Sequence, residues 1–173
     1  MEKTLIPEQI INYNLYNEAE KLVGITGEVT LPALEMMTET VSGAGIAGEY
    51  ESAIPGHFGS MPIDISFRML NESSVSLLKE STVMLTLRAS HQSYDVSSGK
   101  KLRRPLKVVI RGITKSLELG KVEVGKPTES KVSVEVLYIK VSENDKVLVE
   151  IDKLNMICVI DGKDILEDVR GQI

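Results

Sequence analysis

The sequence predicts a mainly β domain, an antiparallel β-sandwich or small barrel with one short helix, a long glycine-rich loop and a C-terminal helical segment. Three observations carry that expectation. Apolar residues recur at every second position over much of the chain, helical periodicity is confined to two short runs, and 173 residues suit one domain. A domain of this length buries about 70% of the surface its unfolded chain exposes, so it needs neither disulfide nor metal to hold it.

The chain opens on Met1-Glu-Lys-Thr-Leu-Ile-Pro-Glu, too polar for a secretion signal, and no run approaches the ~20 apolar residues of a membrane-spanning helix. A membrane anchor is not expected, and the protein is expected to be made in the cytoplasm. From Ser42 to Pro62 the chain carries Gly43, Gly45, Gly48, Gly56 and Gly59 with Pro55 and Pro62, and shows no usable period. A connection of roughly 20 residues is too long to be a passive link in a compact domain. It is expected either to be disordered or to be ordered by something outside the subunit.

Beyond it, Ile63, Ile65, Phe67 and Met69 alternate with Asp64, Ser66 and Arg68, giving a strand with one apolar face. Ser74 is placed to cap a short helix, with Val75, Leu78 and Leu77 inward and an end near Glu80. Val83, Leu85, Leu87 and Ala89, and then Leu106, Val108 and Ile110, mark two more half-buried strands. Val132, Val134 and Val136 begin a further strand, which from Leu137 to Val141 turns apolar on both faces. Such a strand needs a second thing to pack against, within the chain or in a neighbour. Ser142-Glu-Asn-Asp145 makes a turn into a strand of Val147, Val149 and Ile151. Asp161-Gly162 marks the turn before a tail helix over residues 164–170, with Ile165, Leu166 and Val169 on one stripe and Gly171 as its stop.

Several chemistries can be set aside. Gly43-Ala-Gly45-Ile-Ala-Gly48 matches the dinucleotide fingerprint in letters, but it lacks the preceding buried strand and following helix that hold a pyrophosphate. His57 and His91 have no partner at metal-ligand spacing. Cys158, among Met156, Ile157, Val159 and Ile160, reads as a small buried hydrophobe rather than a reactive thiol. No nucleophile elbow or H-E-x-x-H pair occurs, so no catalytic, cofactor-binding or metal-binding residue is expected. A net charge of −5 disfavours stable binding to nucleic acid. The basic run Lys100-Lys-Leu-Arg-Arg104 reads as a solvated strand end, a salt bridge to a neighbouring subunit included. A monomeric β-sandwich ligand-binding module is the rival from another class, but seven aromatic residues and no tryptophan make a poor sugar platform.

The residues so assembled resemble the major tail tube proteins of contractile phages of the P2 type, the FII family. Asn12-Tyr-Asn-Leu-Tyr-Asn17 is similar to that family's opening N-F-N-L-F-N segment, and Glu28-Val-Thr-Leu-Pro-Ala-Leu34 to its next block. Val108-Val-Ile-Arg-Gly112 resembles a strand ending in R-G. The fullest likeness is Lys146-Val-Leu-Val-Glu-Ile-Asp152, continued by Leu154-Asn155 and Val159-Ile-Asp-Gly162. The run from Lys100 to Arg104 departs from the family by being more basic.

The resemblance implies a single tail tube domain over residues 1–173, polymerising as stacked hexameric rings in a virion tail. Its implied partners are itself, a sheath protein, a tape-measure protein, a baseplate tube initiator and a tail terminator. DNA would only pass through the lumen. The same subunit type serves headless phage-tail-like bacteriocins, which pass none. Residues 42–62 are then expected as an intersubunit stacking loop through Gly43, Gly45, Ile46, Gly48, Tyr50 and Pro55. Residues 163–173 form the helical tail, and Leu137, Ile139 and Val141 an intersubunit strand.

Overall fold

The structure, a computed structural model, describes residues 4–18, 20–22, 25–79 and 82–173, the side chains of 25–27 excepted. The elements run β1 (Leu5–Asn17), β2 (Glu20–Lys21), β3 (Ile25–Thr30), β4 (Met36–Ser42), β5 (Glu49–Phe58), β6 (Pro62–Phe67), α1 (Glu72–Lys79), β7 (Val83–Asp95), β8 (Lys100–Glu118), β9 (Ser130–Glu143), β10 (Lys146–Asp152), β11 (Ile157–Ile160), β12 (Lys163–Asp164) and α2 (Glu167–Gln172). All strand pairings are antiparallel. The mainly β architecture with two short helices is the one the alternation predicts.

Ten strands form one sheet in the order β12-β11-β10-β9-β8-β7-β1-β2, and β6 also pairs with β9 and carries β3 at its far side. Period-two alternation puts Ile63, Ile65 and Phe67 of β6, Val83 and Leu85 of β7, Val108 and Ile110 of β8, and Val132, Val134 and Val136 of β9 in the core, none more than 1% exposed. Burying a side chain of this size contributes roughly 1.5–3 kcal/mol. That face of the sheet therefore fixes the register, because a one-residue slip would turn every one of these side chains to water.

β9 is divided along its length. Residues 130–135 pair with β6, residues 138–143 pair with β10, and β8 lies along the opposite edge throughout. Between Arg111↔Tyr138 and Gly112↔Val136, Leu137 has no partner in β8 and forms a bulge. The extra residue reverses the phase, so burial passes from Val132, Val134 and Val136 to Ile139. The two-sided apolarity from Leu137 to Val141 thus has an origin inside the chain. Gly112 sits against the bulge, where a Cβ would come within 2.2 Å of the Glu135 carbonyl oxygen.

Several expectations are corrected. The segment 42–62 is not an irregular loop: β4 and β5 form a hairpin, with only residues 43–48 as its tip and a sheet of its own. Met69 lies beyond the end of β6 and is exposed. Asn71 caps α1, its Oδ1 accepting from the Ser74 amide at 2.9 Å while Ser74 Oγ accepts from the Asn71 amide at 3.2 Å. Leu77 faces the core, whereas Val75 and Leu78 face outward. The expected end near Glu80 lies outside the described residues. The tail helix starts at Glu167 and contains Gly171, and Leu166 is buried just before it while Val169 is largely exposed. The turn after β9 holds Asn144 and Asp145 at φ 49° and 64°, the paired left-handed conformation of a tight hairpin turn.

Candidate functional site

Among the described residues no three His, Cys, Asp or Glu side chains gather to hold a metal. His57 Nδ1 lies 3.0 Å from its own neighbour's carbonyl, Pro55 O, and His91 Nε2 lies 2.5 Å from Glu143 Oε1, which Arg104 also approaches. Cys158 is fully buried, and burial, with the Asp164 charge behind it, pushes its thiol above the ordinary value. Glu135 is raised by burial, but hydrogen bonds from Ser60 Oγ and the Met61 amide outweigh this and hold it below the ordinary range. These groups pin loops to the sheet. What the molecule offers instead of a reactive cluster is surface that its own chain leaves uncovered.

The first such surface is the hairpin. Its strands pair with each other from Thr38↔Ala53 to Ser42↔Glu49 and with no other strand. Alternation sorts its side chains into two faces. Met37, Glu39, Val41, Tyr50, Ser52 and Ile54 share one; Thr38, Thr40, Ser42, Glu49, Glu51 and Ala53 share the other. Met37, Tyr50 and Ile54 are 52, 55 and 38% exposed, and Ile46 at the tip is 43% exposed. Gly45 and Gly48 turn the tip at φ 88° and 114°, and a Cβ on either would meet nothing within 4 Å. Backbone conformation, not space, requires glycine there. A strand precedes this G-x-G-x-x-G run and a strand follows it, so it serves as a β-turn and not as a phosphate cradle.

The hairpin is tied down at its base. Phe58 is buried, Gly59 donates to the Glu35 carbonyl at 3.1 Å, and Lys153 Nζ donates to the Gly59 carbonyl at 2.7 Å. Pro55 lies in an irregular stretch between Ala53 and Phe58 where the pairing breaks, a place that tolerates a residue without an amide donor. Gly56 at φ 71° has its Cα against Leu166, 2.6 Å from where a Cβ would stand. Sequence reading singled out the tip residues, Tyr50 and Pro55, but not the anchoring of Gly56, Phe58 and Gly59, because close backbone approach leaves no periodic trace.

The expected intersubunit strand is placed differently. Leu137 and Val141 are half-buried and Ile139 is 3% exposed, in a strand whose two edges are both paired within the chain. Leu137, Ile139 and Val141 therefore offer no edge for a neighbour's strand.

An open edge exists elsewhere, in a segment to which the sequence reading assigned no strand. β1 pairs with β7 along one side, and on the other, among the described residues, β2 reaches only Tyr16 and Asn17. Its alternation is hidden by two bulges, at Glu8 and Ile11, and by Pro7. Ile6, Ile10 and Ile11 are each nearly half exposed. Ile10 and Ile11 line, with Tyr13, Val29, Leu31 and Leu87, an open apolar groove of about 460 Å³.

The third surface is basic. β8 presents Lys101, Arg103 and Lys107 on its outward face, with Arg88 of β7 directly across from Lys107. None of these four forms an ion pair among the described residues.

The sequence model of the family described as phage tail tube protein FII matches residues 7–173. The tail tube protein of Escherichia phage P2 is 30% identical over 172 residues, covering 97% of this chain and 98% of its own length. The major tail tube protein of Serratia phage KSP20 is 25% identical over 163 residues, covering 94% and 93%.

Proposed function

Because this chain belongs to the phage tail tube protein FII family and is a structural subunit of a phage tail tube, we propose that it acts only as a polymer, as stacked hexameric rings, and catalyses nothing. The tube so formed is the conduit that a contracting sheath drives through the target envelope. Its partners are then further copies of itself, a sheath protein around it, a tape-measure protein within it, and an initiator and a terminator at its ends. DNA meets the protein only as it passes through the lumen.

The observation that carries this reading is the hairpin. A two-stranded ribbon with one face of Met37, Val41, Tyr50 and Ile54 is marginal alone in water and leaves apolar surface exposed. Residues 42–62 contribute its tip and the whole of β5, and Gly43, Gly45, Ile46, Gly48 and Tyr50 are the residues proposed to reach a neighbouring subunit. The outer edge of β1 suits ring closure, since pairing it with a neighbour removes an edge that otherwise invites uncontrolled aggregation.

Negative-stain electron microscopy read beside sedimentation tests this. The wild-type chain should form rings or hollow tubes of uniform width at high concentration. Replacing residues 38–53 by a two-residue turn should leave a folded monomer with an unchanged core and no tubes. Normal tubes from the shortened chain would refute the role of the hairpin. A wild-type chain that stays monomeric at every concentration and binds a small ligand tightly would refute the polymer.

A further inference from the structure

Charge is segregated along this chain. Between Lys21 and Arg68 there is no lysine or arginine, and the hairpin segment within that stretch carries Glu35, Glu39, Glu49 and Glu51. Between Asp95 and Glu118 there is no acid, while Lys100, Lys101, Arg103, Arg104, Lys107, Arg111 and Lys115 all fall there. The fold does not bring the two together. The base of the hairpin is anchored beside Leu166 and Lys153, near β10 and α2, whereas Lys100–Pro105 lie at the end of β8 that runs past β9 and pairs with β7 alone among the described residues.

We propose that the acidic face of one subunit's hairpin seats on the basic outward face of β8 in a second copy. The inference rests on the reading that the chain polymerises and specifies which surface receives the arm. Three features support it. Glu49 and Glu51 are exposed, without ion pairs among the described residues, and sit two positions apart on the same face of an extended strand. Lys101 and Arg103 have the same spacing on the same kind of element. Both repeats are therefore about 6.6–6.8 Å, and two carboxylates can meet two cations in register. Arg88 and Lys107 stand directly opposite each other across β7 and β8, a like-charge pair that weakens an isolated sheet. Carboxylates from a neighbour would relieve that repulsion. The hairpin itself is the acidic partner of matching repeat, which favours a second copy over a nucleic acid as the occupant. The contact joins two different patches of the same protein, so it propagates from copy to copy instead of closing on a pair.

The test uses full-length chains. Glu49→Lys with Glu51→Lys in one protein, and Lys101→Glu with Arg103→Glu in another, should each raise the concentration needed for tube formation by about tenfold or more. Circular dichroism and melting should show both still folded. Mixing the two variants should restore assembly, because the reversed arm of one then meets the reversed strand of the other, and the wild-type arm of the second meets the wild-type strand of the first. Carrying all four changes in one chain should restore it as well. Tubes forming normally from either double variant would overturn the proposal, whether or not that variant had lost affinity for DNA, and so would failure of both rescues. In either case wild-type tubes keep the polymer reading intact. Absence of wild-type tubes under every condition would overturn that reading and this one with it.

Discussion

Asp95 shows how a single side chain can set a strand end. Its carboxylate accepts from Ser97 Oγ at 2.6 Å, Ser98 Oγ at 2.8 Å and the Ser97 amide at 2.9 Å, closing the turn between β7 and β8. Those hydrogen bonds favour the charged form and lower its pKa from 3.8 to about 2. Because the folded value lies below the unfolded one, the stabilisation is complete above about pH 4 and is lost as pH falls towards about 2. Asp95→Asn lacks that carboxylate at every pH. It should melt lower than wild type at neutral pH and lose less melting temperature between pH 4 and pH 2. Parallel acid limbs for the two proteins would show that the turn does not use the charge. The serines and the glycine of Ser97-Ser-Gly99 announce this turn in the sequence. The hydrogen-bonded carboxylate does not announce itself, since any polar residue could have stood at Asp95.

At the scale of elements, legibility followed regularity. β6, β7 as far as Ala89 and the start of β9 keep strict alternation, and the sequence yields their buried faces residue by residue. β1 and the hairpin are strands too, but two bulges interrupt the first, and beyond Met36 and Phe58 at its base the second has no residue in the core cluster. Period-two reading detects burial as much as it detects strand. For α1 the sequence puts the cap at Ser74 where the structure has Asn71, and it turns the helix the wrong way: over eight residues the buried apolar stripe comes down to Leu77, and two exposed apolar neighbours outvote it. The bulge in β9 was visible only as a symptom, apolar residues on both faces. Deleting Leu137 tests its meaning. Removing that one residue leaves Val136, Tyr138 and Ile139 in regular alternation, so Ile139 still faces the core, but β9 loses the bend where it passes from β6 to β10. The deletion variant should therefore fold and melt below wild type. A deletion variant that melts like wild type would mean that the bend is not needed.

The whole molecule combines a tightly packed sheet with appendages that the sheet does not need. The apolar interior holds without the hairpin, the outer edge of β1 or the outward cations of β8. Exposed substitutions on those features should therefore separate folding from assembly. Ile10→Lys is the sharpest case. Ile10 is 49% exposed beside the apolar groove, so the change should move monomer stability by no more than about 0.5 kcal/mol. A charge placed on that edge should suppress the polymer. Melting temperature and sedimentation on the same sample would check both halves. Tubes at wild-type concentrations would exclude this edge from the ring contact. Family membership was legible from the order of several short segments, whereas the surfaces that would join copies were legible only in part, because contacts with another chain impose no period on this one.

The pairing of β1 also bears on time. β1 leaves the ribosome well before its partner β7, with Asn17 opposite Leu85 and Leu5 opposite Asp95. At ~5–20 residues per second, synthesis leaves it waiting on the order of several seconds for that partner. Through that interval an uninterrupted strand with Ile6, Ile10 and Ile11 would be a template for the same segment in neighbouring nascent chains. Pro7 removes one donor from the run, and the extra residues Glu8 and Ile11 break its repeat into pieces too short to zip with a copy of itself. The irregularities that hide this strand from a reader of the sequence hide it equally from its siblings on the polysome.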